Sequence, residues 1–288
     1  EDVSFLHKIM SQSDVVIASF KPGDGEKFRL DEHSLIQQHP HLIIGSITAY
    51  GPSDTRVGYD ALLQAESGFM FLNGNDETDF HKMPVALIDV MAGHQLIQKI
   101  LLAFLNRSMG QTGAHVSVSL LETAVQGLTN QASSWLNAQV DPLPMGSEHP
   151  NIVPYGTIFQ TKDLKFLVLA IGSDHHFEIL LQLLAVPFRE EWRTNIQRVR
   201  NRTDINTLLQ SVFVQCNQND WIQLLQKHRL PVAPVLRVSE ALNQESVQQW
   251  IRKSGNFYHW RGPLENQEII LREAPQLGAD TDRIKKEF

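Results

Sequence analysis

Asp89 is the side chain whose position in this sequence best suits covalent chemistry. It stands just ahead of the clearest helical segment, in which apolar residues recur with a 3.6-residue period from Met91 to Phe104. One interpretation is a helix N-cap, a position that favours aspartate. The other uses the same geometry, because free N–H groups and the helix dipole would keep the carboxylate ionised. An ionised carboxylate in a dry cleft can attack a thioester carbonyl and form a mixed anhydride. Spacing alone leaves both interpretations open.

Other patterns that could carry chemistry are incomplete. Gly23-Asp24-Gly25 lacks the third glycine of a dinucleotide-binding fingerprint, which favours a plain turn. The sequence has 12 histidines, but the pairs His39/His41 and His175/His176 have neither HExxH spacing nor nearby cysteines, so we predict no metal site. A G-x-S-x-G motif for a hydrolase serine is missing as well.

Composition limits the classes of partner and compartment. The chain has 288 residues, 42% hydrophobic and 20% charged, which suits one large domain or two modest ones. A net charge of −7 argues against nucleic acid or an anionic membrane as the main partner, although a local basic pocket for an anionic ligand stays open. The single Cys216 excludes an internal disulfide framework. We expect a cytoplasmic protein, or a mitochondrial matrix protein in a eukaryote, with no segment that spans a membrane.

The elements around Asp89 read as an α/β domain. Buried strands at 14–19 and 42–48, separated by a loop and a short helical stretch, indicate a parallel sheet covered on both faces. We predict a helix over 59–72, and a short strand or an extended segment over 85–88. A further strand over 115–118 leads to Ser119, which has the sequence context of an N-cap with Glu122 in the capping-box position. That helix is predicted to continue toward Asn137.

The chain divides into four segments by composition. Residues 1–140 form the large α/β domain, and its abrupt beginning leads us to expect that earlier residues of this domain are missing. Residues 141–156 are rich in Pro, Gly, Asn and His and are predicted to be a linker or an active-site loop. Residues 157–245 form a smaller α+β domain, with strands at 166–171 and 232–238 and helices at 174–184, 202–215 and 220–228. Residues 246–288 are a return linker and a tail that packs on the large domain.

Ordered sequence blocks resemble the type III CoA-transferase family, which includes formyl-CoA:oxalate transferase and the α-methylacyl-CoA racemases. The block DVMAG at 89–93 matches the D-x-x-x-G that contains the family's catalytic aspartate. The other blocks are DVVIASFKPG at 14–23, LIIGSITAYG at 42–51, GYD at 58–60 with QAESG at 64–68, VSVSLLE at 116–122 after Gly113, HPNIVPY at 149–155, TN at 194–195 with RV at 198–199 and NR at 201–202, and AP at 274–275 with LG at 277–278 and Thr281. Each block is weak alone, but their order covers nearly the whole chain.

The resemblance implies a fold and an activity. It implies a Rossmann-like large domain with a parallel sheet and a smaller α+β domain, in an interlocked homodimer. It also implies transfer of coenzyme A from an acyl-CoA donor to a carboxylic acid acceptor, with small dicarboxylates such as succinate favoured. Asp89 would be the nucleophile, through an aspartyl anhydride and an aspartyl-CoA thioester. The segment 146–156 would cover the anhydride, unless it is an ordinary surface loop.

The resemblance also implies a set of CoA-binding residues. Phe20 and Lys27 would line the adenine and phosphate part of the CoA site, with Arg56 one position from a basic contact of the family. Tyr59 and Asp60 match residues near the thioester. Solvated surface charge is the alternative for Lys27 and Arg56, and a buried tyrosine and a capping aspartate are the alternatives for Tyr59 and Asp60.

Two departures from the family pattern affect the expected function. Ser19 stands where the family has an asparagine, so the position keeps a hydroxyl but loses an amide that the resemblance implies for the cofactor. Racemases of the family need a second acid/base and carry histidine where this chain has Tyr59. A phenol is protonated at neutral pH and accepts protons poorly, which favours transfer over racemisation. A racemase and a non-catalytic CoA-binding homologue remain the alternatives.

Overall fold

The computed structural model describes residues 2–21, 23–260 and 274–288. Within it the chain forms two compact units, Glu1–Gly146 with Ile284–Phe288, and Ser147–Arg283. The elements of the first unit are α1 (Asp2–Ser11), β1 (Val15–Ala18), α2 (Asp24–Lys27), α3 (Glu32–Gln38), β2 (Ile43–Thr48), α4 (Asp60–Glu66), α5 (Phe69–Leu72), α6 (Leu87–Ser108), β3 (His115–Ser119), α7 (Leu120–Gly127) and α8 (Asn130–Ala138).

The first unit is built on a parallel sheet in the order β1-β2-β3. Val15 pairs with Ile43, and Ile44 pairs with His115. The strands run parallel because helical crossovers connect them, and the crossover from β2 to β3 contains α6. The mixed α/β class with a parallel sheet, predicted from the alternation of apolar strands and helices, is confirmed.

Helix α6 is the main cover of this sheet. Its buried side chains recur every three or four residues and belong to one core cluster with β2, β3 and α7, namely Ile88, Ala92, Leu96, Ile100 and Ala103. Gly45 of β2 leaves room for this packing, because a Cβ there would lie 3.2 Å from both Leu96 Cδ1 and Ile100 Cδ1. By length and hydropathy α6 could also cross a membrane, a test that core helices of soluble proteins pass too.

Three local predictions for the first unit are wrong. Residues 85–88 form neither the predicted short strand nor the alternative, an extended segment throughout, because α6 begins at Leu87. The helix predicted over 59–72 is divided into α4 and α5 at Gly68, which has a φ of 91° that interrupts the helical ladder. The helix predicted from 119 toward Asn137 is divided into α7 and α8 at Thr129, whose φ is 47°. Ser119 is the N-cap of α7 as predicted, and its hydroxyl accepts from the Glu122 N–H at 3.4 Å.

The second unit contains an antiparallel sheet in the order β4-β5-β6 with helices packed on it. The predicted strand at 166–171 is confirmed as β5, whereas β4 was not predicted and β6 is shorter than predicted. The unit's elements are β4 (Tyr155–Gln160), β5 (Phe166–Ala170), α9 (Asp174–Leu183), a 3-10 helix (Glu190–Trp192), α10 (Asn195–Arg200), α11 (Arg202–Phe213), α12 (Gln218–Lys227), β6 (Val232–Pro234), α13 (Val238–Leu242), α14 (Glu245–Gln248), β7 (Ile251–Ser254) and β8 (Phe257–Trp260), and α15 (Thr281–Glu287) ends the chain.

A buried arginine organises the start of the second unit. Arg198 is fully buried, and its guanidinium donates to the Val153 carbonyl at 3.1 Å and to Asp174 Oδ1 at 2.6 Å. Arg202 donates to Glu148 at 2.8 Å and to the His149 carbonyl at 2.8 Å. These bonds fix the 148–153 backbone within its own unit, because a planar guanidinium satisfies several acceptors at once.

Candidate active site

Asp89 lies inside the first turn of α6 and not ahead of it. The helix begins at Leu87, and the preceding Ala86 offers no side-chain cap. The prediction that Asp89 stands before the helix is therefore wrong, as is its interpretation as the N-cap. The physical reason is that another carboxylate caps this helix from outside, which lets it start at Leu87, three residues before the start that an N-cap at Asp89 implies.

Asp60, the first residue of α4, supplies that cap. Its Oδ2 accepts from the Ile88 N–H at 2.8 Å and from the Asp89 N–H at 3.4 Å. Its Oδ1 accepts from Gln64 Nε2 at 2.6 Å. The side chain is only 8% exposed, so these bonds compensate the cost of burying its carboxylate. Asp60 thus fixes the backbone that carries Asp89.

Gln64 extends the same network to the segment that enters α6. It is fully buried and lies one turn after Asp60 on α4. Its Oε1 accepts from the Met83 N–H at 2.7 Å, and its Nε2 also donates to the Val85 carbonyl at 3.4 Å. The entry to α6 is therefore tied to α4 at several points, and the position of Asp89 follows from a buried polar network.

The Asp89 side chain itself is exposed, and it has no hydrogen bond or ion pair in the described part of the chain. Its pKa is raised above the usual value, first by partial burial and second by the negative charge of Asp60. Asp60 also accepts hydrogen bonds from two of the N–H groups that were expected to stabilise the Asp89 carboxylate, those of Ile88 and Asp89. The third, on Leu87, donates to the Val85 carbonyl at 2.8 Å. The expectation of free N–H donors at this helix start is therefore wrong.

A cleft of about 240 Å³ brings together three of the predicted CoA-binding residues. Phe20, Arg56 and Tyr59 all line it, and the Tyr59 side chain is 70% exposed. Asp60 and Asp89 do not line it, but Tyr59 directly precedes Asp60 and so connects this cleft to the network around Asp89. We call this space the tyrosine cleft.

Arg56 already forms ion pairs within the tyrosine cleft. Its guanidinium contacts Asp54 Oδ2 at 2.9 Å and Glu66 Oε2 at 3.3 Å, and it lies 3.8 Å over the Tyr50 ring. Hydrogen bonding to Asp54 raises the pKa of Arg56, and the reciprocal bond lowers the pKa of Asp54. The role of Arg56 in CoA binding stays a prediction, since two carboxylates already neutralise it here.

A second cleft, of about 200 Å³, lies beside the first, and we call it the serine cleft. Ser46, His115 and Ser117 line it, with Ser46 Oγ and His115 Nε2 at 2.8 Å. Lys27 lines neither cleft and forms an ion pair with Asp24 at 2.6 Å, so its predicted phosphate contact also stays a prediction. Ser19, the departure from the family pattern, lines the tyrosine cleft and donates to the Ile47 carbonyl at 3.0 Å.

Sequence reasoning missed Lys21. It lines both clefts, together with Phe20 and Thr48. The signal was present, because a basic residue directly follows the strand and phenylalanine of the first family block. In the described residues no group of three or more His, Cys, Asp or Glu side chains could hold a metal ion.

The parallel sheet, the helix bearing Asp89 and the clefts at the ends of β1 and β2 define an α/β protein with a candidate active site. The chain belongs to CoA-transferase family III, whose sequence pattern matches residues 1–281. This finding confirms the family predicted from the ordered blocks.

Named relatives and a solved structure agree with this family. Succinate–glutarate CoA-transferase of Agrobacterium fabrum is 30% identical over 254 residues, 86% of this chain and 63% of the relative. Succinyl-CoA:glutarate CoA-transferase of Mus musculus is 29% identical over 251 residues, 85% of this chain and 57% of the relative. The chain thus spans 57% to 63% of the length of these relatives. A CAIB/BAIF family crystal structure from Brucella suis has a TM-score of 0.84 at 29% identity and covers 99% of this chain and 78% of that one.

Proposed function

We propose that this chain carries the nucleophile of a CoA-transferase that moves coenzyme A from an acyl-CoA to a carboxylic acid. The observation that carries the proposal is the Asp89 carboxylate, which is exposed and unpaired in the described part of the chain while its own backbone N–H is held by buried Asp60. A fixed backbone with a free carboxylate suits a nucleophile that must meet a substrate in a defined orientation.

The first half-reaction consumes the donor thioester. An Asp89 carboxylate oxygen attacks the thioester carbonyl, the carbon–sulfur bond breaks, and CoA leaves as a thiolate. The product on the protein is a mixed anhydride between Asp89 and the donor acyl group. The thiolate then attacks the Asp89 acyl carbon, which releases the donor carboxylate and leaves an aspartyl-CoA thioester.

The second half-reaction reverses these steps with another acid. The acceptor carboxylate attacks the aspartyl thioester, expels the thiolate and forms a new anhydride. The thiolate then attacks the acceptor's acyl carbon, which yields the new acyl-CoA and regenerates the Asp89 carboxylate. No net proton is taken up, so the route needs a nucleophile that stays ionised and requires no general base.

The network around Asp89 has a defined part in this route. Asp60 and Gln64 hold the first turn of α6, and the charge of Asp60 contributes to the raised pKa of Asp89. A carboxylate with a raised pKa is a better nucleophile when it is ionised. Each tetrahedral intermediate needs donors for its oxyanion, and we propose that groups other than the 87–89 N–H groups supply them, because those three already have acceptors.

The substrate classes follow from the clefts and from the relatives. We propose that the CoA part of the donor occupies the clefts lined by Phe20, with Tyr59 on the side nearest Asp60. The names of the relatives support small dicarboxylates of the succinate and glutarate type as the acids. Racemisation would need a second acid/base group, and the tyrosine at position 59 is poorly suited to that role.

A screen of acyl-CoA donors against carboxylic acids tests this function. We expect CoA exchange between succinyl-CoA and a C5 or C6 dicarboxylate, with ping-pong kinetics. Asp89→Asn should lower kcat by about a thousandfold or more, because the nucleophile is removed.

Asp220→Asn is the matched control for that variant. Asp220 is an exposed aspartate in the first turn of α12, at the position that Asp89 has in α6. We expect wild-type rates for the control. Exchange of CoA by the Asp89 variant at a rate near that of wild type would contradict the proposal.

A further inference from the structure

Three histidines of the first unit lie together, away from both clefts. His7 of α1 and His39, which directly follows α3, place Nδ1 and Nε2 3.0 Å apart. Their rings are stacked, with centroids 5.3 Å apart. His41 lies edge-on to His39, with the two ring centroids 6.3 Å apart. We call these three residues the histidine cluster.

The contact between His7 and His39 depends on how many protons the two rings carry. A neutral imidazole has one N–H and one lone pair, whereas an imidazolium has an N–H on both nitrogens. One of the two facing nitrogens must donate and the other must accept, so at least one ring has to be neutral. Two imidazoliums would direct N–H groups at each other across 3.0 Å and would repel. The contact is therefore lost when both rings are protonated.

The surroundings of His39 oppose its protonation. The residue is only 8% exposed, so the charged form would lose most of its hydration. Burial lowers the pKa of His39 below the usual value, and the charges of His7 and His41 lower it further. A proton added to His39 is therefore taken up more easily where the ring has left this environment.

The charged groups of the neighbouring elements are placed elsewhere. Arg107 of α6 donates to the His41 carbonyl at 2.8 Å and pairs with Asp14 at 2.6 Å, so this carboxylate already has a partner. His41 Nε2 lies 3.2 Å from the Ser13 carbonyl oxygen. The remaining charged or titratable side chains of the adjacent helices are Lys8 of α1, and Glu32 and His33 in the first turn of α3, at the end away from His39.

Helix α1 is joined to the sheet near this cluster by few side chains. Met10 of α1 is buried in a core cluster with Leu35 of α3 and Ile44 of β2. The bond from His7 to His39 adds a polar contact one turn earlier on α1. Helix α6 differs, since it buries five side chains along its length. A segment with few buried contacts opens at a lower free-energy cost than the core of the unit.

We propose that the histidine cluster is an acid-sensitive contact that holds α1 on the sheet at neutral pH and releases it when both His7 and His39 are protonated. In the released form His39 regains the ordinary histidine pKa of 6.5, whereas in the docked form its pKa is lower. The released form therefore binds more protons, so the docking contributed by the contact is present above about pH 6.5 and is lost as pH falls below it. The released fraction should rise by up to about tenfold per pH unit for one extra proton.

Hydrogen exchange of the full chain, followed by mass spectrometry of its peptides, tests this release. After correction for intrinsic exchange rates, we expect protection of α1 to fall about tenfold between pH 7.5 and pH 5.0, with α6 unchanged within about twofold. His7→Gln should reduce the fall in α1 to within about twofold, because an amide carries no titrating proton. His175→Gln is the control, since His175 is exposed on α9 of the second unit, and it should keep the wild-type fall.

An NMR titration of His39 in wild type gives an independent result. The ring should titrate with a midpoint below 6.5, over the pH range in which α1 loses protection. A midpoint at or above 6.5 would overturn the proposal, as would equal falls of α1 protection in wild type and His7→Gln. An equal loss of protection in α6 would also overturn it, because that loss would mean general acid unfolding and not release of α1.

Discussion

Asp60 and Asp89 are two carboxylates near the start of α6, and they have different surroundings. Asp89 belongs to the first turn of α6, whereas Asp60 belongs to α4 and caps that turn. Asp60 is buried and accepts from Ile88, Asp89 and Gln64, whereas Asp89 is exposed with no partner in the described residues. The negative charge of Asp60 opposes ionisation of Asp89 and raises its pKa, after partial burial as the larger cause. The residue that holds the proposed nucleophile therefore also adjusts its acidity.

The variant Asp60→Asn tests this coupling. The proposed route requires ionised Asp89, so we expect the rate to fall as pH drops through the raised pKa of that group. The amide keeps an oxygen to cap Ile88 but removes the charge, so the pKa of Asp89 falls and the acid limb of kcat/KM moves to lower pH. Its NH₂ group faces Gln64, and the lost hydrogen bond should cost about 1 kcal/mol of stability.

A pH profile from about pH 4 to 8 gives the result, with unfolding curves as the check on folding. An acid limb that stays in place, or that moves to higher pH, would contradict the coupling. The contribution of burial remains in the variant, so the limb should still lie above that of an ordinary aspartate.

The sequence singled out Asp89 as a candidate but did not reveal the hydrogen bonds that hold its helix turn. The family block at 89–93 located the carboxylate, whereas the capping interpretation relied on local spacing alone. The cap comes from Asp60, which is distant in sequence, and no periodic pattern reveals a side chain that reaches across from another helix. Lys21 was missed for a related reason, because only the fold brings two clefts to its sides.

At the scale of elements, the presence of α6 was the most predictable feature of the molecule. The residue at which α6 begins was predicted least well. The apolar period of α6 requires a buried face, and that face packs on β2 and β3. The breaks at Gly68 and Thr129 were not predicted, because helical periodicity continues through both positions. The strand β1 and the strand β2 were predicted because continuous apolar runs between helices are typical of buried parallel strands.

Gly93 of α6 and Gly45 of β2, which packs against α6, predict opposite responses to the same substitution. Gly93 lies inside the helix, and a Cβ there would have nothing within 4 Å. Gly93→Ala should therefore raise the free energy of unfolding by about 1 kcal/mol, the difference in helix propensity. Gly45→Ala is the matched control, because its Cβ would press on Leu96 and Ile100 at 3.2 Å and should destabilise the fold by about 1–3 kcal/mol.

Urea denaturation of the two variants and wild type measures both effects. A Gly93→Ala protein less stable than wild type would mean that another surface occupies the space beside Gly93 in solution. That result would contradict the expectation drawn from this chain alone.

At the scale of the whole molecule, α8 presents an uncharged surface that carries two large exposed apolar side chains. None of its side chains is buried, and Trp135 and Leu136 are 47% and 72% exposed. Residues 123–140 include no charged residue, in a chain that is 20% charged. Depletion of charge around an exposed tryptophan is typical of protein interfaces, and a neutral patch avoids self-repulsion across a two-fold axis.

We therefore predict a homodimer in which this surface is covered. Light scattering coupled to size exclusion should give twice the chain mass at micromolar concentration. Leu136→Asp should shift the equilibrium toward monomer by about tenfold or more, because a charge would be buried. Leu164→Asp is the control, since Leu164 is 74% exposed in the other unit. A monomeric wild type, or equal effects of the two variants, would contradict this prediction.

Chemical trapping of Asp89 tests the central claim most directly. Hydroxylamine added during turnover attacks the acyl carbon of an aspartyl anhydride or thioester and leaves a hydroxamate on that residue, which peptide mass spectrometry locates. We predict a hydroxamate at Asp89 that forms only when an acyl-CoA is present and that disappears in Asp89→Asn. Turnover with an unmodified Asp89, or modification of another carboxylate such as Asp60, would contradict the assignment of Asp89 as the nucleophile.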